Sequence, residues 1–159
     1  MKVKDVVTLQ VPVCPAQGSW ALAANALWER DAGIVVLLDA EQRPVGLVTE
    51  WDICRTVATR EILPKDLTAA DLASVPAPYC LLDDDVRTAL RKLALHRIRA
   101  LPVVGAEGRV IGMVTIQRIL LKVKSGTELS PQEVLDVLRE VWAQHELPED
   151  AVICGWEHR

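Results

Sequence analysis

Two spacings of apolar residues alternate along this chain. Val86, Ala89, Leu90, Leu93 and Ala94 fall at i, i+3, i+4, i+7 and i+8 behind the acidic triplet Asp83, Asp84 and Asp85. That pattern predicts an amphipathic helix with carboxylates at its positive end. The stretch from Trp20 to Trp28 predicts a second. Each is followed by two short apolar runs, 34–38 and 45–48 in one case, 101–104 and 110–114 in the other. The polar stretches between the runs, 39–43 and 105–109, are short enough to close each pair into a hairpin. A further helix is expected to start at Thr49 and again at Thr115. The same order is therefore read twice: a short N-terminal segment, helix, strand, strand, helix.

The two readings are one unit duplicated. Sliding the chain by 66 positions aligns residues 3–57 with 69–123 without a gap and gives thirteen identities in fifty-five, among them Cys14/Cys80, Gly46/Gly112, Val48/Val114 and Thr49/Thr115. Chance would give roughly three or four. Neither unit has more than a small sheet with one face to cover, so the two are expected to pack together about a pseudo-twofold axis, creating two related clefts. The fold class expected is α/β (α+β): two tandem β-α-β-β-α repeats, 1–60 and 61–124, and a C-terminal helical tail, 125–159. Residues 58–68, with Pro64, form the crossover.

Composition narrows the functions available. The chain has 159 residues, half of them hydrophobic, and a formal charge of -4. Its basic residues are interspersed with acidic ones, so the attraction that dominates nucleic-acid binding is missing and no nucleic-acid partner is expected. No apolar run is long enough for a membrane span, and the N-terminal residues lack a signal-peptide pattern. The expectation is a cytoplasmic protein with no membrane partner. Cys14, Cys54, Cys80 and Cys154 form no C-x-x-C pair, which fits free thiols. Cys154 and His158, with His145, can be drawn as a metal site, but a buried thiol and solvated histidines account for them more simply, and no metal is expected. There is no P-loop, and none of His96, His145 and His158 stands in a recognisable triad, so no catalytic residue is assigned.

The chemistry worth a ligand lies where strand meets helix. In GLVTEWD at 46–52, Thr49 ends a strand and Asp52 falls in the first helical turn. A hydroxyl and a carboxylate at that spacing either cap the helix locally or hold the paired hydroxyls of a ribose, while free N–H groups at a helix start attract anions. The repeat order, with GLVTEWD closing the first unit and GMVTIQR at 112–118 closing the second, resembles the CBS domain family in its paired form, the Bateman module, over nearly all of residues 1–124. In that family Gly, two apolar residues, Ser or Thr, two variable residues and Asp mark a nucleotide-binding repeat.

The resemblance implies a regulatory, non-catalytic module that binds AMP, ADP or ATP as a ligand in one cleft, with no cofactor required. Asp52 would hold ribose with Thr49 beside it. Arg99, in the segment before the partner repeat's Pro-containing strand, would meet phosphate. Leu47, Cys80, Leu81 and Pro102 would wall the adenine. His96 and Arg97 either reach the cleft mouth or are solvated. The second repeat has Arg118 where Asp is expected and Gly33 where Arg99 stands in the other half, so its cleft is not expected to bind in the usual way. Arg118 is either a plug or a solvated side chain, and Trp51 either stacks on the purine or blocks the slot.

Other readings stay open: another adenosyl ligand such as S-adenosylmethionine or NAD, or a module that binds nothing and only dimerises. A homodimer is expected, with a regulated partner protein possible through the tail. There Ser130, Pro131 and Glu133 start a helix whose apolar face comprises Val134, Leu135, Val137, Leu138, Val141 and Trp142, packed on its own domain or used for docking.

Overall fold

The computed structural model of the chain describes residues 1–30, 33–59, 66–73, 76–123 and 129–143. The first unit runs β1 (Val13–Pro15), α1 (Trp20–Arg30), β2 (Val35–Leu38), β3 (Pro44–Val48) and α2 (Glu50–Thr59). The second runs α3 (Ala69–Leu72), β4 (Cys80–Leu81), α4 (Val86–His96), β5 (Ala100–Val104), β6 (Val110–Thr115) and α5 (Ile116–Lys122), and α6 (Pro131–Ala143) follows. Each unit has a three-stranded sheet, β1-β2-β3 and β4-β5-β6, in which the first pair is parallel and the second a hairpin. Leu37 pairs with Gly46 and Val103 with Gly112, and both hairpins carry their register shift one residue later. The 66-residue period is thus reproduced down to the irregularity.

The central strands explain why 34–38 and 101–104 read as unbroken apolar runs. Val35 and Leu37 face the helical side, with Ala23 and Leu27 of α1, while Ile34, Val36 and Leu38 face the other unit. A strand covered on both faces has no polar positions to alternate with. Between the units lie Ile34 with Ala100, Leu47 with Met113, and Val11 with Ala77, each pair separated by the 66-residue period. In the second unit α4 buries Val86, Ala89, Leu90 and Leu93 as its periodicity predicts, and the Asp85 side chain accepts from the Arg87 N–H at 2.9 Å as N-cap.

The short leading segments are exchanged. Val3 and Val6 lie in the core of the second unit, whereas Leu67, Ala69 and Leu72 lie in that of the first. The Val3 and Lys4 N–H groups donate to the carbonyls of Asp84 and Leu82, and Thr8 and Met113 exchange two backbone hydrogen bonds of 2.8 Å. Gly112 permits this approach: a Cβ there would run into Val7 and lie 2.9 Å from the Thr8 carbonyl oxygen.

α6 starts with the predicted box, in which the Ser130 N–H donates to Glu133 Oε2 at 2.8 Å and the Glu133 N–H donates to Ser130 Oγ at 3.2 Å. Arg87 Nε lies 3.0 Å from Glu133 Oε1. That hydrogen-bonded guanidinium, with the Ser130 N–H, pulls the Glu133 carboxyl down to about 2. Val134 and Val141 are buried in the core of the second unit, and α6 rests on α4 and α5. Packing on its own domain, one of the two expectations for this face, is what these residues do. His145, Cys154, His158 and the crossover residue Pro64 lie outside the described residues. Among the described residues no helix is long and apolar enough to cross a membrane, and no cluster of metal-ligating side chains occurs.

Candidate functional site

Where β3 gives way to α2, the Thr49 N–H and hydroxyl both donate to Asp52 Oδ2, at 2.9 and 2.7 Å, and the Asp52 N–H donates back to Thr49 Oγ1 at 3.1 Å. The capping arrangement is therefore present. It does not exhaust the carboxylate, whose Oδ1 lies 3.6 Å from Arg55 Nη2. Among the described residues Asp52 is the only charged side chain that is buried, at 6 % exposure. Burying a carboxylate is costly unless its surroundings stabilise it, and this one is held at the wall of a cavity.

That cavity, a cleft of about 850 Å³ between the units, is lined by residues from three places. The first unit supplies Gly33, Ile34, Leu47, Thr49, Glu50, Trp51, Asp52, Cys54 and Arg55. The second supplies Pro76, Pro78 and the run from His96 to Arg99, and α6 adds Val141 and Trp142. The run 96–99 reaches the cleft because α4 stops there. Arg97 is its C-cap in the left-handed conformation, φ 53°, with its N–H donating to the Ala94 carbonyl, and the chain then turns along the cavity into β5.

Arg99 crosses to the first unit, where its Nη2 lies 3.3 Å from Glu50 Oε2. It passes over Gly33, whose positive φ of 71° suits glycine, and a Cβ there would collide with the guanidinium. Gly33 and Arg99 are separated by the repeat period itself, so the arginine rests on its own counterpart. Three arginines, Arg55, Arg97 and Arg99, border this cleft against the two carboxylates of Glu50 and Asp52. In a chain of net charge -4, that local excess of positive charge favours an anionic ligand.

The cleft brings together Leu47, Thr49, Asp52 and Arg99 of the residues expected from sequence. Cys80, Leu81 and Pro102, expected as adenine walls, do not border it. Cys80 is fully buried in the core of the second unit, where desolvation raises its thiol pKa to about 11. Leu81 is half exposed, and Pro102 is buried opposite Met113, the counterpart of Leu47 rather than Leu47 itself. Pro76 and Pro78, which precede β4, do border the cleft. Trp51 is 64 % exposed on the cleft rim and leaves the space open. Arg118 is exposed, its N–H donating to Thr115 Oγ1 at 3.0 Å, so of the two readings of this side chain the structure gives the solvated one. Val141 and Trp142, on the apolar face of α6 expected to pack on its own domain or to dock, border the cleft as well.

The CBS domain family model matches residues 69–125. An uncharacterized 17.7 kDa protein of Acidianus ambivalens is 31% identical over 116 residues, which cover 73% of this chain and 69% of the relative. A homoserine O-acetyltransferase of Methanosphaerula palustris is 30% identical over 113 residues, covering 71% of this chain but 22% of the enzyme. The chain thus spans about a fifth of that relative's length, and half of a Methanopyrus kandleri relative's. Among solved structures, a CBS domain protein of Pyrobaculum aerophilum complexed with AMP superposes with a TM-score of 0.68 at 26% identity, covering 87% of this chain and 98% of that one.

Proposed function

Because this chain belongs to the CBS domain family and carries two such units, we propose that it is a regulatory module that senses an adenine nucleotide in the single cleft bordered by Asp52 and Arg99. The observation that carries the reading is the meeting of a buried carboxylate from one unit with an arginine from the other across about 850 Å³, a volume that suits a nucleotide. In this reading Asp52 accepts hydrogen bonds from the ribose hydroxyls and Thr49 steadies the carboxylate. Arg99 leaves Glu50 for phosphate, and the base lies against Ile34, Leu47, Pro76 and Pro78. The AMP complex of the Pyrobaculum aerophilum relative supports it.

The arginine excess favours AMP, ADP or ATP over S-adenosylmethionine, whose sulfonium is cationic. The module performs no chemistry of its own, and the one-fifth share of a homoserine O-acetyltransferase that it matches fits a sensing part joined to a separate catalytic part. It works in the cytoplasm as a homodimer, acting on a partner protein.

Titration calorimetry with AMP, ADP, ATP, NAD and S-adenosylmethionine tests this. One site per chain and a preference for the phosphorylated adenosines are expected. Heat from S-adenosylmethionine alone, or from none of the five, would defeat the reading, and the latter would leave a scaffold that only dimerises.

A further inference from the structure

Among the described residues two tryptophans border the same cleft, Trp51 from α2 of the first unit and Trp142 from the last turn of α6. Trp142 is 56 % exposed, although its neighbour Val141 is buried at 2 % in the core of the second unit. Val141 fixes that turn of the helix, so the indole is held at the cavity edge with more than half its surface in water. An indole left wet at the edge of a cleft gains most from a flat ligand that covers it. At its other end α6 is secured by the Ser130 box and the Arg87–Glu133 pair. The helix is thus anchored where it starts and borders the cleft where it ends.

We propose that Trp142 is a ligand-contacting residue that covers the nucleoside end of the bound molecule, and that α6 is the element whose docking responds to occupancy. This rests on the nucleotide reading of the cleft. Linkage gives it two faces: a ligand that touches Trp142 holds α6 down by the same factor that a docked α6 tightens the ligand. The position of α6 on the second unit then carries the state of the cleft to whatever lies beyond residue 143.

The test is calorimetry with AMP and with adenosine on the full chain, together with amide hydrogen exchange across 131–143. Trp142→Ala should weaken both ligands alike, by about five- to a hundredfold, the range of a lost aromatic stack on a base. Trp142→Phe should stay within about threefold of the parent, because a smaller ring still covers the base. AMP should slow exchange in α6 of the parent and not of Trp142→Ala. If Asp52→Ala weakens AMP while Trp142→Ala binds as the parent does, the inference fails and the reading of the site stands. If AMP saturates the parent without slowing exchange in α6, the responsive role fails. A parent chain that binds neither AMP nor adenosine would overturn the site and this inference together.

Discussion

The junction between the units has two corners built from one 66-residue pattern, and they have diverged in charge. At the first, Thr49 and a buried Asp52 stand opposite Arg99; at the second, Thr115 and an exposed Arg118 stand where Gly33 is the counterpart of that arginine. Both threonines cap their helices in the same way, with a helix N–H donating to the hydroxyl oxygen at 3.1 and 3.0 Å. What differs is the third residue after the cap, Asp52 against Arg118, and the residue facing it, Arg99 against Gly33. Backbone geometry is thus common to both corners, whereas the recognition proposed above rests on Asp52 and Arg99, which the second corner lacks.

The largest effect expected on this contrast comes from Asp52→Ala. It removes charge-assisted hydrogen bonds to ribose, each worth roughly 1.5–3 kcal/mol, so AMP affinity measured by calorimetry should fall at least about tenfold. The same change costs about 1 kcal/mol of stability through the lost cap, visible in a denaturant titration. Arg99→Ala should weaken ATP and ADP by roughly fivefold or more while leaving adenosine nearly unchanged, since it takes charge from the phosphate end alone. Equal losses for ATP and adenosine would move Arg99 out of the phosphate role.

Gly33→Ala sharpens the same point from the other corner. The left-handed backbone at Gly33 makes any side chain cost about 1–2 kcal/mol in the unfolding free energy, and the new Cβ displaces the Arg99 guanidinium. Part of the Arg99→Ala loss in ATP affinity should therefore appear without touching Arg99. A smaller, pH-linked effect concerns α6. The Glu133 carboxyl is held down from 4.5 to about 2, first by its hydrogen bond to Arg87. A lowered acid stabilises the fold fully above its unfolded value and loses that contribution as pH falls through the folded one. Protection of the α6 amides, corrected for the intrinsic pH dependence of exchange, should accordingly be steady above pH 5 and fall between about 4.5 and 2, and Glu133→Gln should flatten that dependence. Least of all, Arg118→Ala should change AMP affinity less than about twofold; a clear loss would show that the second corner takes part.

Much of this architecture was legible in the sequence because it is local. The i, i+3, i+4 pattern from Val86 finds α4, the hairpin turns at 39–43 and 105–109 find both strand pairs, and the box at Ser130 finds α6. Of the seven residues expected to bind ligand, Leu47, Thr49, Asp52 and Arg99 border the cleft, the first three because they share one strand-to-helix junction. Cys80, Leu81 and Pro102, expected from the resemblance to wall the base, do not line this cleft. At the entry to β4, Pro76 and Pro78 border the cleft, while Cys80 has turned into the helical core. Pro76 and Pro78 lie before β4 begins at Cys80, so the path of the loop, and not the alternation of that strand, brings them to the cleft. Trp142 was missed for a different reason: its route to the cleft depends on how α6 lies across α4 and α5, and no periodicity within a helix encodes that.

The exchanged leading segments bear on how the chain is made. Val3 and Val6 find their native neighbours among residues as late as Ile119, and Thr8 pairs with Met113. At a synthesis rate of roughly 5–20 residues per second, Val3 and Val6 wait on the order of five to twenty seconds after their own synthesis for the strand that covers them. During that interval neither half has its complete interior. Val3 and Val6 are then available to a chaperone, or to the wrong half of a neighbouring nascent chain, and the native core is sealed only when β6 and the helices after it arrive.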